Sequence, residues 1–290
     1  MLAAAPEPVA YLWEPFSPRS RRGVFDAPIR WWFTYVCDEN AEEFAPAVRD
    51  LLAFRYHVRA EFRTIRSPRD AGRMARDLGR FRRFRRTAAR PLLKDPIAVF
   101  STEWLAARFG MEPIVLIRHP AAFTASLKRL GWTHPFDDFL QQPLLMRDLL
   151  GPFEVDIRRF AEGQHDVVDQ GVLLWNVIHL AIDAYRNRHP GWRFVRHEDL
   201  STNPLPTFRS LYDHCGLTWT RDVEERVRLH SNASNPAIAT SVSSIRRNSA
   251  ASIRMWRSVL TPAESERVRI GTAELWPRFY GDQDWAEQDA

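Results

Sequence analysis

The junction Ile114-Val-Leu-Ile-Arg118-His-Pro120-Ala-Ala-Phe-Thr-Ala-Ser126-Leu-Lys-Arg-Leu-Gly131 carries the most chemistry. A buried aliphatic strand delivers Arg118 at its carboxyl end, where ligands bind in open α/β sheets. Pro120 opens a helix and Gly131 closes it, so Ser126 stands two turns in. A guanidinium fork and a hydroxyl eight residues apart can grip one phosphate from two sides. The same spacing also suits a strand-end arginine in a salt bridge and a helix serine bonded to its own backbone. A second charged feature runs from Arg55 to Lys94, where fourteen Arg and Lys face only Glu61, Asp70 and Asp77. Arg73, Arg76, Arg80 and Arg83 recur at helical spacing, which favours one solvated helix face. An electropositive wall beside an anion site is the sharper reading. No nucleic-acid-binding module surrounds the segment, and no nucleic-acid partner is expected.

The elements that must position these residues alternate between strand and helix, which implies an α/β fold. Val9–Trp13 is a short apolar run stopped by Glu14-Pro15. Pro113–Ile117 is continuous and aliphatic, as expected of a strand buried on both faces. Trp192–Arg196 is a third strand, ending at Glu198-Asp199, and Leu92-Leu93 marks a short fourth. Apolar residues from Val168 to Tyr185 recur at 3.6-residue spacing and predict a helix over Asp166–His189. Asn203-Pro204 opens another helix running to Cys215, and Thr261-Pro-Ala-Glu264 is a capping box. The 290 residues suit one domain, with an Arg-rich helical insertion at about 55–90 and a frayed tail at about 281–290.

Composition narrows the classes. Net charge is +5, carried by 39 arginines and only two lysines, Lys94 and Lys128. Arginine suits planar, bidentate anion recognition. Cys37 and Cys215 are the only cysteines, so neither a disulfide framework nor a cysteine-rich zinc site is expected. No apolar run reaches the roughly 18 residues of a membrane span, and the first residues do not resemble a secretion signal, so a cytoplasmic location is expected.

The junction 114–131 resembles the 3′-phosphate-binding segment of sulfotransferases that use 3′-phosphoadenosine 5′-phosphosulfate (PAPS). The likeness continues in order. Trp192–Pro204 is similar to that family's strand, Glu-Asp-Leu and helix-start segment. Gly216-Leu217 is similar to the pair that closes the following helix. Trp256–Glu264 is similar to its Trp…Leu-Thr-x-x-Glu segment. Leu12–Phe16 and Leu93–Pro96 resemble the bacterial branch. The resemblance implies a three-layer, mostly parallel sheet flanked by helices, in the P-loop NTPase-like manner. It implies Glu14 as general base and Lys94 as the cation at the bridging oxygen or the transferring group, where Lys94 alone also reads as an ion pair with Asp95. It implies Arg118 and Ser126 on the 3′-phosphate, His197 near adenine, and Arg246 and Arg247 in a basic loop over the 3′-phosphate. PAPS would be the co-substrate, with no metal. The partner would be an acceptor hydroxyl on a carbohydrate, lipid, small molecule or protein tyrosine.

The family's Gly-rich loop for the 5′-phosphosulfate is not found among the scattered glycines, and the chain reads as lacking the first βα unit. An inactive relative that binds nucleotide or an anionic partner is therefore the alternative to an active enzyme. A phosphotransferase is disfavoured by the want of a Walker-type lysine and a magnesium-ligand pair. Neither the acceptor nor the oligomeric state is encoded in any readable pattern.

Overall fold

The computed structural model describes residues 1–232, 251 and 253–286. They form two compact units, Met1–Met111 with Tyr212–Val223, and Glu112–Leu211 with Glu224–Ala290.

In the first unit, β1 (Val9–Trp13) pairs in parallel with β2 (Arg90–Lys94), from Val9 opposite Arg90 to Trp13 opposite Lys94. Arg90 N–H to the Pro8 carbonyl and Glu14 N–H to the Lys94 carbonyl extend the ladder by one bond at each end. Burial along β1 alternates: Ala10 and Leu12 are buried while Tyr11 and Trp13 stand exposed, as the two-residue period of a strand requires. Leu12 joins Phe16, Phe25, Phe44, Val48, Leu51, Phe81 and Phe84 in one apolar core. Each such side chain contributes roughly 1.5–3 kcal/mol on burial. Helix Ala41–Leu52 supplies Phe44, Val48 and Leu51 to that core, and helix Pro68–Arg86 supplies Phe81 and Phe84. The second starts at Ser67, whose side chain accepts the Asp70 N–H, with Pro68 at its first position. It buries only Phe81 and Phe84, and Arg73, Arg76, Arg80 and Arg83 are all exposed. The periodic arginines therefore form a solvated face.

In the second unit, β3 (Ile114–Ile117) pairs in parallel with β4 (Arg193–Arg196). The expectation that this aliphatic strand is buried on both faces is corrected: Ile117 is buried, but Leu116 is 54% exposed. The predicted helices recur closely, as Val167–Arg188 capped by Asp166, Pro262–Gly271 with its capping box at Thr261 and Glu264, and Pro204–His214, whose residues from Tyr212 are assigned to the first unit. Helix Pro120–Leu130 runs from Pro120 at its first turn to Gly131, whose φ of 61° is the left-handed stop that glycine provides. Ala121, Ala122, Ala125, Val168, Trp256, Leu260 and Val268 form the core beneath it. Val167–Arg188 is long and apolar enough to cross a membrane by length and composition, and 67% of that stretch is buried inside the protein. Its inward residues Leu174, Trp175, Val177 and Tyr185 pack as those of a core helix do.

The expected fold class thus stands as α/β with parallel pairing. Among the described residues the pairing takes the form of two two-stranded sheets. The tail expected to fray from about 281 is held as far as Ala286: Asp284 pairs with Arg196, and the Trp285 ring packs against His119 and Trp276.

Candidate functional site

Glu14 and Lys94 leave adjacent parallel strands at their carboxyl ends. Glu14 follows β1 with φ of 42°, a left-handed backbone that is costly for a residue with a Cβ. Its amide donates to the Lys94 carbonyl at 2.9 Å, and its Oε1 lies 2.5 Å from Lys94 Nζ. The same ammonium sits 4.2 Å from the centre of the Trp13 ring. The alternative pairing of Lys94 with Asp95 is corrected by this geometry. Asp95 instead accepts the Phe16 N–H through Oδ2 at 2.7 Å, and the Ile97 and Ala98 N–H groups through Oδ1. It thereby caps the 3₁₀ turn Pro96–Ser101 and anchors the segment just beyond Glu14. Burial pushes the Asp95 carboxyl up to about 6, against the pull of those three donors. Burial, and then the charge of Glu14, raise the Tyr11 hydroxyl above its usual range.

Arg118 follows β3 directly, and its carbonyl accepts the Trp175 indole N–H at 2.9 Å. The His119 amide donates to Glu198 Oε1 at 3.1 Å, while Tyr280 O–H donates to Glu198 Oε2 at 2.9 Å. The His119 ring is buried, stacked on Trp256 and edge-on to Tyr280 and Trp285. Burial pushes its imidazole down to about 3. Ser126 is half-buried two turns into helix Pro120–Leu130, and no hydrogen bond from the described residues engages its hydroxyl. The self-bonded helix serine is thus not what forms. His197 opens helix His197–Thr202, and its carbonyl accepts the Ser201 hydroxyl. Arg246 and Arg247 lie outside the described residues.

The structure pairs Glu14 with Lys94 in the first unit. Arg118, Ser126 and His197 all lie in the second. The first set offers a carboxylate able to take a proton beside a cation able to meet a developing negative charge. The second offers a guanidinium and a hydroxyl, both of which can donate to a phosphate. The links from Trp175 to the Arg118 carbonyl, and from Glu198 to the His119 amide and Tyr280, escaped the sequence reading, because residues 57 to 82 positions apart give no periodic signal. Among the described residues no group of three or more His, Cys, Asp or Glu is placed to hold a metal ion. Among the aromatic residues of the stretch 132–160, Phe136 and Phe139 are core and Trp132 is 60% exposed. Phe153 instead borders a cavity of about 470 Å³ with Phe160, His165, Arg159, Arg267 and Asn176.

No protein-family model matches the chain, and no curated protein matches it. Among solved structures, it is similar to the sulfotransferase domain from the curacin biosynthetic pathway. The likeness covers 77% of this chain and 78% of that one, at 13% identity and a TM-score of 0.38.

Proposed function

We propose that this protein transfers a sulfuryl group from PAPS to an acceptor hydroxyl. The observation that carries the reading is the Glu14–Lys94 pair at the carboxyl ends of β1 and β2. The ordered resemblance of Arg118–Ser126, Trp192–Pro204 and Trp256–Glu264 to sulfotransferase segments supports it. PAPS when bound supplies an activated SO₃ group on a phosphate leaving group. In this reading Glu14 takes the acceptor's proton as the hydroxyl oxygen forms its bond to sulfur. Lys94 meets the charge that grows on the departing phosphate oxygen, and must leave Glu14 to do so. Arg118 and Ser126 hold the 3′-phosphate, the Ser126 hydroxyl being open to an added acceptor. His197, Arg246 and Arg247 belong to the nucleotide's surroundings. No metal takes part in this scheme.

The test is calorimetric titration with 3′-phosphoadenosine 5′-phosphate, followed by transfer of labelled sulfate from PAPS to a panel of hydroxyl acceptors. Losing a charged hydrogen bond costs about 1.5–3 kcal/mol, so Arg118→Ala should weaken nucleotide binding by about 10- to 150-fold. Lys94→Met should leave binding of the product nucleotide nearly intact and abolish transfer. Binding without transfer by the unaltered protein would favour the second reading, a nucleotide-binding relative without catalysis. No binding by the folded protein would overturn both.

A further inference from the structure

We propose that Trp175 and Glu198 are positioning residues that clamp the Arg118–His119 peptide and thereby fix the direction in which the Arg118 side chain leaves the end of β3. The inference rests on the reading of Arg118 as a phosphate-binding group.

The two contacts meet on one rigid object. The Arg118 carbonyl and the His119 amide belong to a single planar peptide unit. Trp175 donates to its oxygen at 2.9 Å and Glu198 accepts from its nitrogen at 3.1 Å. Bonds to opposite ends of the plane stop it rotating, which sets ψ of Arg118 and φ of His119. Regular structure leaves this unit to be held from outside. The β3–β4 ladder ends with Ile117 opposite Arg196. Helix Pro120–Leu130 begins only after Arg118 and His119, and the His119 carbonyl accepts the Phe123 N–H. Pro120 has no N–H to offer, and the His119 side chain makes no cap bond. The junction would otherwise turn to water for its polar groups.

Both clamps are themselves held. Trp175 is fully buried, and its ring stacks on His179 with centres 3.8 Å apart. The second oxygen of Glu198 accepts the Tyr280 hydroxyl, and the Arg196 guanidinium lies 4.5 Å from the centre of the Tyr280 ring. Arg196 is tied in turn to Asp284 at 2.5 Å. A side chain that must meet a phosphate within a few tenths of an ångström needs such support, because small errors of aim lose hydrogen bonds.

The experiment is a double-mutant cycle on the full chain, read by titration with 3′-phosphoadenosine 5′-phosphate. Trp175→Phe keeps the ring and deletes the N–H, while Glu198→Ala deletes the acceptor and Glu198→Gln retains one. Trp175→Phe and Glu198→Ala should each raise Kd about tenfold, and Glu198→Gln should recover most of that loss. In an Arg118→Ala background the same changes should be silent, since there is no guanidinium left to aim. A purely architectural role predicts equal weakening with and without Arg118, and that result would overturn the clamp. So would unchanged binding in Trp175→Phe, the variant least able to disturb folding. If Arg118→Ala itself binds as well as the unaltered protein, the phosphate role of Arg118 fails first and the clamp falls with it. That outcome is separable from the others because it appears in the single variant.

Discussion

Asp95 is a carboxylate whose own contribution to the fold should grow in mild acid. It is half-buried between Lys94 and Pro96, and its carboxyl is pushed up to about 6 by burial, with the nearby charge of Glu14 adding to the rise. The Phe16, Ile97 and Ala98 amides pull the other way. In the unfolded chain an aspartate titrates near 3.9. Between roughly pH 4 and 6 the folded state therefore keeps a proton that the unfolded state has released. By linkage, the stability this group contributes is greatest below that window and falls as pH rises through it. About two pKa units at 1.36 kcal/mol each give a change of about 3 kcal/mol. The buried histidines oppose it. His119, His134 and His179 are each lowered to about 3 by burial, so the unfolded chain binds protons the fold refuses, and their stability is lost as pH falls below about 6.5. Asp95→Asn separates the two effects, because it fixes the side chain neutral and leaves the histidines alone. It also loses the acceptor for Phe16 N–H, a constant cost of about 1–3 kcal/mol. Urea unfolding of both proteins from pH 4.5 to 7.5 gives the difference in stability. That difference should widen in favour of the native aspartate as pH falls, by about 2 kcal/mol across this range. A flat difference, or one that narrows in acid, would refute the reasoning and show that the three amide donors keep Asp95 ionised in the fold.

Two core positions give further checks. A Cβ on Gly171 would meet Thr124 Cγ2 and Oγ1 at 2.8 Å, and Thr124 is fully buried. Gly171→Ala gains about 1 kcal/mol of helix propensity but incurs about 1–3 kcal/mol of overpacking, so the melting temperature should drop; a rise would mean that the helix yields. No hydrogen bond from the described residues reaches either ring nitrogen of His119, which is 2% exposed. His119→Phe should therefore stabilise the protein by about 1 kcal/mol in urea at pH 7, and a loss of that size would show that the imidazole is bonded.

The punctuation of this fold was legible, and its long-range pairing was not. Proline, glycine and capping residues announced the ends of helix Pro120–Leu130 and the start of Pro262–Gly271, because each acts on backbone within a few residues. Strand β2 was nearly invisible: Arg90 and Pro91 broke its apolar pattern and left only Leu92-Leu93 to suggest it. Its partner β1 is about eighty residues away, as the pairing of Val9 with Arg90 shows. The same distance hid the partner of Lys94. Asp95 is its neighbour in sequence, yet successive residues of a strand point to opposite faces, and Asp95 turns to the amides of Phe16, Ile97 and Ala98. Glu14 reaches Lys94 because β1 has ended and the left-handed backbone turns it out of the strand's alternation. The residue types of the site could be read from the chain, and their partnership is a product of register.

Lys94-Asp95-Pro96 and Arg118-His119-Pro120 are the same local device with different supports. In each, a cation stands at the carboxyl end of a parallel strand (Lys94 as its last residue, Arg118 just beyond), one residue follows, and a proline opens a helical turn. The extended conformation of the middle residue is the one a following proline favours. At Asp95 that middle residue caps the turn with its own carboxylate, so the geometry next to Lys94 is written into neighbouring sequence. His119 cannot cap, and its peptide is held instead by Trp175 and Glu198, 57 and 79 positions from their partners. Glu198 leans on Tyr280, and Arg196, against the face of that ring, leans on Asp284. The geometry at Lys94 needs only its own turn and β1 to be formed. The geometry at Arg118 needs β4, helix Val167–Arg188 and the segment near residue 280 all in place. On the proposed role of Arg118, an anion grip built that way would be complete only when the whole second unit has folded, and nucleotide affinity should then report that unit's integrity.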